Sequence, residues 1–166
     1  MSELETLAER LGCLLIERGE WLAAAESCTG GWLAQSVTAI AGSSTWFDRG
    51  FVTYSNAAKA DMLGVSDSTL ARHGAVSEAV ARAMAQGVLT HSRADWSVAI
   101  TGIAGPSGGS PEKPVGTVCF AWASKDGGCE AQTCLFTGDR ASVREQSVRY
   151  ALNGLIDRVG SAVYSA

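Results

Sequence analysis

The chain has 166 residues, 46% of them hydrophobic, and a net charge of −4 from 13 basic and 17 acidic side chains. That length suits one well-filled core and is short for two. The acidic balance without a Lys/Arg stripe argues against nucleic acid as the main partner, and no apolar run approaches the roughly 20 residues that span a bilayer.

The acidic N-terminus, Met1-Ser2-Glu3-Leu4-Glu5, lacks the charged-then-apolar layout of a signal peptide. A cytoplasmic protein without membrane contact is expected. The cysteines, Cys13, Cys28, Cys119, Cys129 and Cys134, form no Cys-x-x-Cys pair, and only His73 and His91 accompany them. No metal site is expected, and the cysteines read as free thiols in a reducing compartment.

Leu4, Leu7, Ala8, Leu11, Leu14 and Leu15 recur at helical spacing, which predicts a helix over 3–18 stopped by Gly19. Residues 21–26 read as a buried strand and 30–40 as a helix broken at Gly42. The aromatic and β-branched run 46–54 suits a strand. A helix follows over 56–63, ended by Gly64, and Ser66 can cap another short one. Ser77 starts a longer helix through about His91, with Val80, Ala81, Met84, Val88 and Leu89 on one face.

Residues 97–101 form a compact apolar strand that runs into a long Gly/Pro-rich loop over 102–114. Long loops in a compact domain tend to carry function or to be disordered. Segments 115–123 and 130–136 flank Asp126-Gly127-Gly128, a hairpin signal. Asp139 caps a final helix striped by Val148, Leu152, Leu155, Ile156 and Val159. Strands separated by helices imply parallel pairing, and the late hairpin adds antiparallel pairing. The expectation is a single α/β domain over 1–166, with a mixed, mostly parallel sheet, helices on both faces, and a C-terminal antiparallel hairpin plus helix.

Three loops should converge at the carboxyl ends of the parallel strands, where open α/β sheets hold their ligands. They carry Ser27-Cys28-Thr29-Gly30-Gly31, Tyr54-Ser55-Asn56, and Thr101-Gly102-Ile103-Ala104-Gly105. Ser27 stands where a strand hands over to a helix N-terminus. A serine there is either a nucleophile beside an oxyanion hole or an N-cap. Neither histidine lies near a motif. Lys59 is either a solvated helix lysine or, if desolvated, a base. Tyr54 is a second candidate. Cys28 is a rival nucleophile whose alternation with Ser27 points it toward packing. Glu26 either orients a neighbour or ends the strand. Arg140 can clamp a phosphate or carboxylate. The 102–110 loop matches neither a Walker A nor a G-x-G-x-x-G motif.

Further segments join these: Ala25-Glu26 ahead of Ser27, Gly42-Ser43-Ser44, Val52-Thr53, Leu63-Gly64-Val65, Gly74-Ala75-Val76-Ser77, Pro106, and Lys113-Pro114-Val115-Gly116-Thr117-Val118. In number and order they make the chain resemble the CinA C-terminal domain family, also called the PncC-type nicotinamide-nucleotide amidohydrolases, from the first helix to the last. The resemblance implies hydrolysis of nicotinamide mononucleotide to nicotinate mononucleotide and ammonia, in pyridine nucleotide salvage, without metal or cofactor. Larger members carry a separate N-terminal domain, so this chain reads as the stand-alone form. Ser27 becomes the expected nucleophile of an acyl-enzyme, with Lys59 or Tyr54 accepting its proton. Backbone donors around Thr29, Gly30 and Gly31 would stabilise the oxyanion. The ribose and phosphate would lie along Thr101, Gly102, Ile103, Ala104 and Gly105, with Arg140 as the charged clamp. The helix N-terminus after Ser27 is an equally physical phosphate site. The resemblance also implies a homo-oligomer, for which Trp46, Phe47, Phe51 and Trp122 are candidate interface aromatics. Two other readings stand beside it: a non-catalytic nucleotide-sensing module linked to competence or DNA damage, and a serine hydrolase of another small amide.

Overall fold

The computed structural model describes residues 1–165; Ala166, the last residue of the expected 1–166 domain, lies outside them. In chain order the elements are α1 (Glu3–Arg18), β1 (Leu22–Glu26), α2 (Trp32–Thr38), β2 (Phe47–Val52), α3 (Asn56–Leu63), α4 (Asp67–His73) and α5 (Glu78–Thr90). β3 (Trp96–Gly102), β4 (Thr117–Ser124), β5 (Cys129–Leu135) and α6 (Arg140–Ser165) follow. The expected elements are all present. Their ends move where a local rule overrides periodicity. Gly30 and Gly31 take φ of 60° and 101°, a left-handed conformation that a helix cannot contain, so α2 starts only at Trp32.

The sheet order is β2-β1-β3-β4-β5. β1 pairs parallel with β2 and β3, and the β3–β4 and β4–β5 pairs are antiparallel. Successive residues of a strand face opposite sides, and the chain uses that alternation to build two cores. Leu22, Ala24, Val98, Ile100, Phe120 and Trp122 face α1, α2 and α6. Ala23, Ala25, Ala99 and Ala121 face α3, α4 and α5, where small side chains let α5 approach the sheet. The aromatic expectation is corrected here. Trp46 and Trp122 are each 2% exposed and belong to the core, so neither offers surface to a partner. Phe47 and Phe51 are half-buried against it.

The chain leaves β1 toward the α2 face and leaves β2 toward the α3 face. Adjacent parallel strands whose connections diverge in this way open a crevice at their carboxyl ends. Ser27 follows β1 at that edge and Thr53 follows β2.

Candidate active site

Ser27 continues the sheet by one hydrogen bond, its N–H donating to the Ile100 carbonyl at 3.0 Å. It is 7% exposed. Across the crevice, the Thr53 N–H donates to the Glu26 carbonyl at 2.9 Å, which ties the end of β2 to the end of β1. The chain then turns into α3, capped by Ser55, whose side chain accepts from the Ala58 N–H. One turn on, α3 turns Lys59 inward, and the side chain is 1% exposed. Lys59 Nζ lies 3.0 Å from Ser27 Oγ, 2.9 Å from the Thr53 carbonyl oxygen and 3.2 Å from that of Tyr54. Ser27 Oγ is also 3.3 Å from the Tyr54 carbonyl oxygen. Burial lowers the Lys59 pKa from its ordinary 10.5, only partly opposed by the Cys28 thiol nearby. No ion pair among the described residues involves this lysine. A desolvated amine without a carboxylate favours its neutral form. In that form it can accept a proton from the adjacent hydroxyl.

The pair opens into a cavity of about 330 Å³. Tyr54, Asn56, Ala75, Val76, Arg140 and the loop from Thr101 through Gly102, Ile103, Ala104 and Gly105 line it. Thr101 is buried, its hydroxyl donating to the Ala75 carbonyl at 2.9 Å. Arg140, the first residue of α6, donates to the Gly105 carbonyl at 2.8 Å and to the Tyr54 hydroxyl at 3.3 Å. Tyr54 is 61% exposed, and its phenol thus turns to Arg140, while its carbonyl faces Ser27 and Lys59. Arg140 is a cation on the lining and no carboxylate opposes it there, so the cavity suits an anionic ligand. A larger cavity of about 430 Å³, lined by Trp96, Trp122 and Arg158 among others, holds no lysine or histidine. Among the described residues no cluster of His, Cys, Asp and Glu could hold a metal ion.

Thr29, Gly30 and Gly31 do not line the cavity. The Gly30 N–H donates back to the Ser27 carbonyl at 3.0 Å, closing a turn. The N-terminus of α2 is already filled. Glu26 accepts from the Leu33 N–H at 2.8 Å and from the Ala34 N–H at 3.1 Å, so a phosphate would have to displace a buried carboxylate. Cys28 packs into the core, and burial pushes its thiol up to about 11, against what a helix N-terminus would do. Arg144 was not legible as a site residue: it donates from α6 to the Cys28 and Thr29 carbonyls, a contact that joins residues 116 and 115 positions apart. Ala75 and Val76 reach the cavity through the turn before α5, and their signal was the Gly-Ala-Val-Ser motif itself.

Fold and site together define a class: an α/β protein with a mixed five-stranded sheet and a buried serine–lysine pair at the carboxyl edge of its parallel strands. The chain belongs to the CinA C-terminal domain family, whose model matches residues 4–159. It is 59% identical over 155 residues to the nicotinamide-nucleotide amidohydrolase PncC of Escherichia coli (strain K12), covering 93% of each chain. A putative competence-damage inducible protein of Symbiobacterium thermophilum is 54% identical over 159 residues, which are 91% of this chain and 37% of that protein. The crystal structure of the competence/damage inducible protein CihA from Agrobacterium tumefaciens superposes with a TM-score of 0.92 at 47% identity, over 95% of this chain and 96% of that one.

Proposed function

We propose that this chain is an amide hydrolase that converts nicotinamide mononucleotide and water to nicotinate mononucleotide and ammonia through an acyl-enzyme on Ser27. The observation that carries the mechanism is the 3.0 Å approach of Lys59 Nζ to Ser27 Oγ. The substrate rests on the 59% identity to a protein named for this activity.

A neutral lysine amine has two N–H donors and one lone pair. The Thr53 and Tyr54 carbonyls take the two donors, which leaves the lone pair for the Ser27 hydroxyl. Ser27 Oγ attacks the carboxamide carbon as its proton passes to Lys59. The ammonium then has three donors for the same three oxygens, so the site holds both protonation states without rearranging. The Cys28 N–H, directly after Ser27 on the cavity lining, would receive the oxyanion. Lys59 returns the proton to the departing nitrogen, which leaves as ammonia. Water enters, gives its proton to Lys59 and attacks the acyl carbon. Collapse returns that proton from Lys59 to Ser27 Oγ and releases the carboxylic acid, which gives its remaining proton to solvent. No step needs a metal. Arg140 and the loop over 101–105 would hold the phosphate and ribose, in keeping with a cavity of about 330 Å³ whose lining has this guanidinium and no carboxylate.

The proposal places the enzyme in the cytoplasm as a homo-oligomer acting on a small nucleotide. No helix among the described residues is long and apolar enough to cross a membrane. The test is ammonia release from nicotinamide mononucleotide by the purified chain with EDTA present, beside Ser27→Ala. Release by the parent and a loss of at least a thousandfold in the variant are expected. Near-parental release by Ser27→Ala overturns the acyl-enzyme. Binding without release by the parent would favour the sensing module, and release only from other amides would redirect the substrate.

A further inference from the structure

Two charged side chains grip the Ser27 corner without lining the cavity. Glu26, 2% exposed, sends its carboxylate along the turn to the N–H groups of Leu33 and Ala34. The N-cap of α2 is Gly31, which has no side chain to do this, so a strand residue five positions upstream caps the helix. From the other side, Arg144 Nε donates to the Cys28 carbonyl at 3.0 Å and Nη2 to the Thr29 carbonyl at 3.2 Å. Its guanidinium lies over the Trp32 ring, 5.5 Å from the centroid. One segment thus has its donors held by an anion and its acceptors by a cation.

The geometry has a direct consequence at the nucleophile. In a trans peptide the carbonyl and the N–H point opposite ways. Drawing the Cys28 and Thr29 carbonyls to α6 therefore turns the N–H groups of Thr29 and Gly30 away from α6. The Gly30 N–H then meets the Ser27 carbonyl and fixes the peptide plane of Ser27 itself. Charge-assisted hydrogen bonds are directional, so they set orientation where apolar packing would only fill space. We propose that Glu26 and Arg144 are positioning residues of the reaction, holding the corner so that Ser27 Oγ stays in register with Lys59 and the Cys28 N–H stays on the cavity side. The inference rests on the Ser27 acyl-enzyme reading. Neither residue lines the cavity, so their effect falls on turnover and not on substrate affinity.

The experiment is steady-state kinetics on nicotinamide mononucleotide for Arg144→Ala, Arg144→Lys and Glu26→Gln, with thermal melting of each and guanidinium ion added to Arg144→Ala. A misplacement of about 1 Å at a reacting group costs on the order of a hundredfold. Arg144→Ala should lose between about tenfold and a hundredfold in kcat, with KM within about twofold. Guanidinium ion should recover part of kcat, and Arg144→Lys, which keeps the charge but lacks the rigid planar fork, should fall between. The pH profile should keep its shape, because Lys59 is untouched. A parental kcat in Arg144→Ala overturns the inference, as does a loss carried in KM alone. If Arg144→Ala or Glu26→Gln melts below the assay temperature, Arg144→Lys decides: parental kcat there also overturns it. Turnover that survives Ser27→Ala overturns the underlying acyl-enzyme reading instead, whatever Arg144 does.

Discussion

Lys59 is the group through which the proposed chemistry and the stability of the fold can be measured together. Its ammonium would sit almost wholly out of water with neutral oxygens as its hydrogen-bond partners, so burial holds its folded pKa below the ordinary 10.5. Between the folded value and 10.5 the unfolded chain keeps a proton that the folded chain has lost, and stability rises with pH. Below the folded value both states are protonated and the cost of burying the charge is fully present. Each pH unit inside the window is worth up to about 1.4 kcal/mol. Lys59→Met keeps the length and apolar stem but removes the proton. It also strips the Thr53 carbonyl of its donor at 2.9 Å, at about 1–3 kcal/mol, whereas the Tyr54 carbonyl retains the Ser27 hydroxyl at 3.3 Å. That loss does not vary with pH. The parent's advantage over Lys59→Met should therefore grow as pH rises from neutral toward 10.5. Cys28, held up to about 11 chiefly by burial, is present in both proteins, and Lys59 is only a minor cause of its shift. Urea midpoints for the two proteins across this range measure the difference. In the same range kcat/KM of the parent should climb and level off below 10.5 as the amine becomes neutral. Parallel stability curves would mean that folding leaves the lysine's proton affinity unaltered, and the case for a neutral base would fall.

Two further expectations concern single side chains. Tyr54→Phe should lower kcat by less than about tenfold, because the phenol meets Arg140 while the carbonyl facing Ser27 remains; a loss of a hundredfold or more would return the tyrosine to proton transfer. Gly154→Ala should destabilise the fold while leaving turnover at 25 °C intact. The added Cβ would lie 2.4 Å from Trp122 Cε2 and Cζ2, and that ring is held by a hydrogen bond to the Ala151 carbonyl at 3.1 Å. Overpacking of about 1–3 kcal/mol outweighs a helix-propensity gain of about 1 kcal/mol, so Tm falls by a few degrees. A raised Tm would show that the helix and ring separate freely.

The elements were legible because each has a local cause. The stripe on α1, the serine caps ahead of α4 and α5, and the Asp126-Gly127-Gly128 turn act within a few residues of themselves. The order of strands and helices was enough for a mixed sheet. Of the site, the Ser27 corner and the loop after β3 were legible as glycine-rich breaks at strand ends. Lys59 was not. α3 is short and carries little amphipathic pattern, and a lysine on its buried side runs against the ordinary reading of charge. Arg144 lay further still from legibility, since its two partners are more than a hundred residues away.

The sequence by itself determined the secondary structure, the parallel-then-antiparallel sheet and the family, all of which follow from short-range pattern and motif order. Tertiary structure alone decided which groups meet. Parallel pairing of β1 with β2 sets Glu26 beside Val52 and so brings Ser27 to Lys59 across 32 residues of chain. The same packing removes water from that amine, filled the α2 N-terminus with Glu26, and turned the Tyr54 phenol to Arg140. A proton affinity depends on solvent and on neighbours in space, and neither is written in the spacing of residues along the chain.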